Sequence, residues 1–127
     1  ALLQFKHSFV IDKYASRNPS AYPKAESWKH QGGDCCSWDG VECDEDTGHV
    51  IGLDLSSSFL FGTINSSSSL FSLVHLQSLN LSDNHFNYSQ IPCAIGHLSR
   101  LTSLNLSWSS FFGQIPSEIS KLSKMTS

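Results

Sequence analysis

A chain of 127 residues with a hydrophobic share of 39% has the make-up of one ordinary folded domain. Its formal net charge of −3 provides no basic footprint for nucleic acid. No apolar run approaches the roughly 20 residues that span a bilayer, and no leader sequence is visible, so one is expected to have been removed or to lie outside this stretch.

In chain order, Leu2, Phe5 and Phe9 are apolar among polar neighbours, which suits a helix with one buried face. Ser27-Trp28 follows, then the run from Asp34 through Cys35, Cys36, Trp38 and Gly40 to Val41 and Cys43. Trp38 and Val41 alternate with polar residues as in a strand. Asp44 to Gly48 is a turn-rich acidic stretch leading back into a strand at Val50. Cys35, Cys36, Cys43 and His49 offer four conceivable zinc ligands. However, the Cys-x-x-Cys spacing of zinc sites is absent and adjacent cysteines rarely ligate one ion together, so no metal is expected. The carboxylates Asp39, Glu42, Asp44, Glu45 and Asp46 lack the spacing of a calcium loop and read as a solvated turn.

From Val50 onward the chain repeats itself. Leu76-Gln-Ser-Leu79-Asn80-Leu81-Ser82 returns 25 residues later as Leu101-Thr-Ser-Leu104-Asn105-Leu106-Ser107. Val50-Ile-Gly-Leu53-Asp54-Leu55-Ser56 is a weaker copy 26 residues upstream, and another copy begins at Met125. The downstream apolar positions follow in order: Phe86, Ile91, Pro92, Ile95 and Leu98 in one copy, then Phe111, Ile115, Pro116, Ile119 and Leu122 in the next. Such a period with an LxxLxL core marks a leucine-rich-repeat solenoid, in which each unit supplies one short strand and buries its leucines only against neighbours. The expected fold is an α/β repeat solenoid: a right-handed superhelix with a parallel sheet on its concave face. Residues 1–49 form an N-terminal cap, and residues 50–127 hold about three repeats and the start of a fourth.

These repeats resemble the plant-specific class of extracellular leucine-rich repeats, with Gly62-Thr-Ile64 and Gly113-Gln-Ile115-Pro116 carrying its Gly-x-Ile-Pro signature. Asn84 fits the family's ladder asparagine, while Ser58 and Ser109 stand there in the other copies. A hydroxyl can cap a turn but is not expected to span the ladder. Tyr88 stands where the family has glycine. The segment from Trp28 to Cys43 resembles the cap of plant leucine-rich-repeat receptors, with its Cys-Cys-x-Trp-x-Gly-Val-x-Cys pattern. That resemblance implies a Cys36–Cys43 disulfide and an oxidising compartment. It leaves Cys35 unpaired or separated from an upstream partner, and Cys93 a lone loop thiol.

Catalysis finds no foothold. The histidines His7, His30, His49, His75, His85 and His97 are scattered, and no HExxH, GxSxG or P-loop motif occurs. No cofactor is expected, and recognition falls to the surface. Between the strand leucines, which face the core, the concave stripe carries Gly52, Asp54 and Ser56, then Ser78, Asn80 and Ser82, then Ser103, Asn105 and Ser107. Asp83 and Trp108 flank it. Trp108 is either a binding anchor or a lid on its neighbouring strand. The resemblance implies an extracellular module of a plant cell-surface receptor of the receptor-like protein type, serving defence or development. Its partners would be a protein or peptide ligand and a co-receptor kinase, with no membrane contact within this stretch. The alternative is a secreted inhibitor resembling polygalacturonase-inhibiting proteins. The copy beginning at Met125 is cut short, so the chain is expected to be the N-terminal piece of a longer ectodomain and to self-associate or unfold easily when isolated.

Four N-x-S sequons, at Asn65, Asn80, Asn87 and Asn105, agree with passage through the secretory pathway, while proline disqualifies Asn18. Expressed in plant or insect cells, the chain should carry N-linked sugar on at least two of the four. Mass spectrometry before and after enzymatic deglycosylation tests this, and an unchanged mass would remove the best independent support for an extracellular protein.

Overall fold

The leucines that recur every 25 or 26 residues are the reason the chain forms a ladder. In the computed structural model, which describes residues 2–28, 35–65 and 67–111, they lie in register across a four-stranded sheet. Its strands are β2 (Val41–Cys43), β3 (Val50–Asp54), β5 (Ser78–Asn80) and β6 (Ser103–Asn105) in that spatial order. β3, β5 and β6 run parallel, with Leu53 beside Leu79 and Leu79 beside Leu104. Leu53, Leu55, Leu76, Leu79, Leu81, Leu98 and Leu101 are all buried in one core. A fully buried leucine contributes about 1.5–3 kcal/mol relative to exposure, so the ladder is the principal stabilising element. The chain returns through two 3₁₀ segments, Ser69–Ser72 and Cys93–His97, which bury Leu70, Phe71, Ala94 and Ile95. The copy beginning at Met125 lies outside the described residues, as does the second Gly-x-Ile-Pro.

The cap closes the open end of this core. Helix α1 (Leu2–His7) buries Leu2 and Phe5. An aromatic run then passes from Phe5 to Phe9 (4.9 Å between centroids), Phe86 (5.6 Å) and Phe111 (5.0 Å), linking cap to repeats. Trp28 is fully buried, stacks on Trp38 and donates from Nε1 to the Asp39 carbonyl (3.0 Å). Lys6 Nζ donates to the Trp28 carbonyl at 2.9 Å, fixing the helix to this corner. β2 pairs antiparallel with β3 around the acidic turn. Trp38 is not part of that strand, as its alternation with Val41 suggested. It lies in the turn ahead of β2, because Gly40 adopts a left-handed φ of 83° there. A Cβ on Gly40 would come within 2.3 Å of the Asp54 carbonyl oxygen, so only glycine lets the hairpin close. Cys36 and Cys43 are joined by a disulfide with Cα atoms 5.5 Å apart, while Cys35 is a half-buried thiol and Cys93 an exposed one.

A second, two-stranded sheet was not foreseen. β1 (Val10–Ile11) pairs antiparallel with β4 (Leu60–Phe61), and an isolated bridge continues it from Phe61 to His85. Gly62 allows the aromatic ring of Phe9 to pack close by. Tyr88, standing where related repeats have glycine, takes the positive φ itself (57°) and keeps its ring largely in solvent.

Asn84 is the polar centre of the bend. Its buried amide donates to the carbonyls of Leu55 (2.8 Å), Leu81 (3.1 Å) and Ser82 (3.1 Å). Its Oδ1 accepts from the amides of Ser58 and Leu60, both at 3.1 Å. The expectation that serine would break this ladder needs correcting. The buried Ser109 hydroxyl donates at 2.7 Å to the Leu81 carbonyl, one coil back, as Asn84 does to Leu55. A hydroxyl reaches because one coil spacing is short, but it reproduces only this single cross-coil bond. Asn84→Ala should therefore lower unfolding free energy by about 3 kcal/mol, since it strands several buried backbone groups. Ser109→Ala should cost about 1 kcal/mol. Denaturant titration measures both, and equal effects would contradict the asymmetry.

Candidate recognition surface

Each parallel strand ends in the same polar unit. Asp54, Asn80 and Asn105 are register partners. Each side-chain Oδ1 accepts from the amide two residues on (Ser56, Ser82, Ser107, all 3.0 Å) and from that serine's hydroxyl (2.6, 2.7 and 2.7 Å). The hydroxyls of Ser56, Ser82 and Ser107 thus donate back to their own strands. Asn65 binds Ser67 in the same way. Asn65, Asn87 and Asn105 are exposed and Asn80 is half-buried. Ser78 is exposed and Ser103 half-buried on the stripe, but Gly52 is not open to it. Glu42 of the hairpin lies over Gly52, and a Cβ there would sit 2.8 Å from its Oε1.

The next slot, Ser57, Asp83 and Trp108, is left-handed in every coil, with φ of 49°, 56° and 57°. The coils enforce this by backbone bonds, from Ser57 N to the Ser82 carbonyl (3.0 Å) and from Asp83 N to the Ser107 carbonyl (3.1 Å). An aspartate tolerates such a φ; a bulky tryptophan does so at a cost in strain. Trp108 is nevertheless 76% exposed, so it does not cover the neighbouring strand. The Arg17 guanidinium lies 6.0 Å from its ring centroid, at cation–π range.

Cap residues enter this surface, which strand periodicity alone did not indicate. Asp83 Oδ1 accepts from the Arg17 amide (2.8 Å), and its Oδ2 from the Asn18 amide (3.0 Å) and the Ser57 hydroxyl (2.7 Å). The Ser16 hydroxyl donates to the Asp83 carbonyl. Burial opposes ionisation of Asp83, but these donors outweigh it and hold its carboxyl below the usual range. Asp83 is therefore a clamp between cap and second coil. Lys24 similarly reaches Ser56 Oγ (3.3 Å) and Asp54 Oδ1 (3.6 Å). Burial of Asp54 is offset by its Ser56 bonds and by Lys24, which together lower its pKa. The Tyr22 phenol, bonded to Asp39, is held above its ordinary pKa by that bond, by burial and by the charges of Asp39 and Asp54. Between cap and coils lies an open depression of about 540 Å³, lined by Arg17, Asn18, Ser56, Ser57, Ser82, Asp83 and Trp108.

Among the described residues, no three of histidine, cysteine, aspartate and glutamate are grouped to hold a metal, and no helix is long and apolar enough to cross a membrane. Two of the four conceivable zinc ligands, Cys36 and Cys43, are bound to each other.

The family described as leucine rich repeat N-terminal domain matches residues 1–44, and Leucine Rich Repeat matches residues 75–98 and 100–122. The chain is 50% identical over 117 residues to Receptor-like protein 7 of Arabidopsis thaliana, covering 91% of this chain and 11% of that protein. It is 49% identical over 134 residues to Receptor-like protein Cf-9 of Solanum pimpinellifolium, covering 98% of this chain and 15% of that protein. The chain therefore spans only a small part of the length of these relatives. Among solved structures, the BIR2 ectodomain from Arabidopsis thaliana superposes with a TM-score of 0.76 at 28% identity, over 98% of this chain and 61% of that one. The BIR3–SERK2 complex from the same plant gives 0.74 at 30% identity, over 98% and 62%. With cap, register and both repeat segments accounted for, the chain belongs to the leucine-rich-repeat family, in the form that plant receptor-like proteins carry.

Proposed function

We propose that this chain is an extracellular recognition module of a plant cell-surface receptor, binding a protein or peptide rather than catalysing a reaction. The observation that carries this reading is Trp108, a large aromatic held in a left-handed backbone slot and left 76% exposed against Arg17. Strain of this kind without a packing return is a sign of a selected surface role. Tryptophan and arginine are also the residue types that most often dominate binding energy. The depression beside them is lined by cap and coils together, so a ligand there would contact both. Four sequons and the cap disulfide support secretion. One of the similar structures was solved as a complex with SERK2, which supports a co-receptor kinase as a partner class here. A role in defence or development is the finer form of this reading, supported by the likeness to plant receptor-like proteins.

Binding to an isolated SERK-type ectodomain, measured by calorimetry, is the direct test. Trp108→Ala should weaken that binding about thirtyfold, the equivalent of a 2 kcal/mol hot spot. The variant should keep its thermal midpoint, because the indole is exposed and alanine keeps a Cβ in the same left-handed slot. Undiminished binding by Trp108→Ala would sink the anchor. Inhibition of a fungal polygalacturonase by the wild-type chain, with no ectodomain binding, would instead favour a secreted inhibitor.

A further inference from the structure

A polar groove of about 430 Å³ separates the cap helix from the first coil. Gln4 and Ser8 line it from the cap, and Thr63, Asn65 and residues 67–69 from the coil's return loop. The two walls touch near Gly62, where a Cβ would lie 3.2 Å from the Ser8 carbonyl oxygen. Gln4, Ser8, Thr63, Asn65 and Ser67 are exposed. The lining contains no charged and no aromatic side chain. It offers amides and short hydroxyls, which suit a neutral polar ligand and give an apolar one no anchor.

Asn65 is the acceptor of the sequon Asn65-Ser66-Ser67, and it stands in the wall of this groove. Its Oδ1 accepts from the Ser67 amide (3.0 Å) and hydroxyl (2.6 Å). The oxygen is thereby committed to its own chain. Nδ2, the atom that carries N-linked sugar, is left without a hydrogen-bond partner among the described residues. We propose that the first N-acetylglucosamine of a glycan on Asn65 seats in this groove and ties the cap helix to the first coil. The sugar arrives by group transfer: Nδ2 gives up a proton and bonds the anomeric carbon, displacing the diphosphate of a lipid-linked oligosaccharide.

Attachment is what makes so exposed a groove effective. A free monosaccharide would lose translational and rotational freedom on binding, a cost that a few solvent-exposed hydrogen bonds do not offset. A sugar bonded to the wall has already met most of that cost, and it faces Gln4 and Ser8 at high local concentration. The groove's volume falls in the roughly 300–1,000 Å³ range of small-ligand sites, and its hydroxyls and amides match a ring that carries hydroxyl and acetamide groups. Helix α1 has only six residues, well short of the roughly 12 at which an isolated helix becomes stable. A bridge from the coil to Gln4 therefore acts where the fold is least self-sufficient. It rests on the extracellular reading only through the sugar itself, whose presence mass spectrometry establishes independently of Trp108.

Thermal melting of defined glycoforms decides the matter. The chain is expressed with high-mannose glycans and with Asn80→Asp, Asn87→Asp and Asn105→Asp, so that sugar remains at Asn65 alone. An endoglycosidase trims that glycan to one N-acetylglucosamine, whereas a glycoamidase removes it entirely and leaves aspartate. Aspartate preserves the turn, as Asp54 does with the Ser56 amide and hydroxyl (3.0 and 2.6 Å). The trimmed form should melt with the intact one, and the amidase product about 4 °C lower. Gln4→Ala should lower the midpoint of the trimmed form by a similar amount and leave the amidase product unchanged, a coupling that a role confined to Asn65 would not produce. The same treatment of a chain glycosylated only at Asn105 should shift nothing. A trimmed form as labile as the amidase product, an equal shift at Asn105, or an equal effect of Gln4→Ala on both forms would each overturn the proposal. Absence of sugar from Asn65 overturns it whatever the other sequons carry, and absence from all four would strike the extracellular reading as well.

Discussion

Everything else in this molecule follows from the parallel register that sets Leu53, Leu79 and Leu104 side by side. A single coil cannot bury its own leucines, so each gains its stability only from a neighbour. That dependence makes the ends of the stack its weak points, and it explains why so much of the chain is devoted to the cap. Trp28, Phe5 and Leu2 are as thoroughly buried as the strand leucines, because they do for the first coil what a preceding coil would do. The hairpin of β2 and β3 is the same solution for the backbone: an antiparallel strand occupies the edge that would otherwise face water unpaired.

In-register stacking also multiplies whatever residue stands at a given position, turning one slot into a column. The column at Asp54, Asn80 and Asn105 ends each strand with an identical side-chain turn. Aspartate keeps the turn in the first coil but cannot accept a glycan, and there Lys24 arrives from the cap to pair with it. The next column, at Ser57, Asp83 and Trp108, shares a left-handed backbone while its side chains diverge: a hydroxyl, a carboxylate that clamps the cap, and an exposed indole. Geometry is conserved along the column, and chemistry is free to vary. A solenoid thereby builds a recognition surface without disturbing its core.

How much of this was legible in the residues depends on distance along the chain. The strands could be read directly, since Leu76 to Leu81 and Leu101 to Leu106 share one spacing, and the aromatic cap could be read from Trp28 and the cysteine run. The two-residue strands at Val10 and Leu60 could not, because two residues carry no period and Val10 and Ile11 are exposed. Asp83 looked like a surface carboxylate; its bonds to Arg17 and Asn18 span 66 and 65 residues and have no local signature. The reach of Ser109 depended on a coil spacing that composition does not reveal. The histidines are the instructive case. Taken as a set of six they looked scattered, yet His49 and His75, whose rings stack face to face, differ by the repeat offset itself, and that signal was present in the numbering.

The cap therefore has two duties that pull in different directions. As a lid it must be rigid, and Asp83 and Lys24 achieve this by tying residues 16–18 and 24 to the ends of the first two coils. As a wall of the depression it must leave Arg17 able to meet a ligand together with Trp108. The structure reconciles the two by holding the backbone amides of Arg17 and Asn18 while the guanidinium is left to the indole. At Arg17 the main chain is committed to stability and the side chain to recognition. The strained, exposed Trp108 stands where that division is sharpest, one coil beyond the clamp that ties the second coil to the cap.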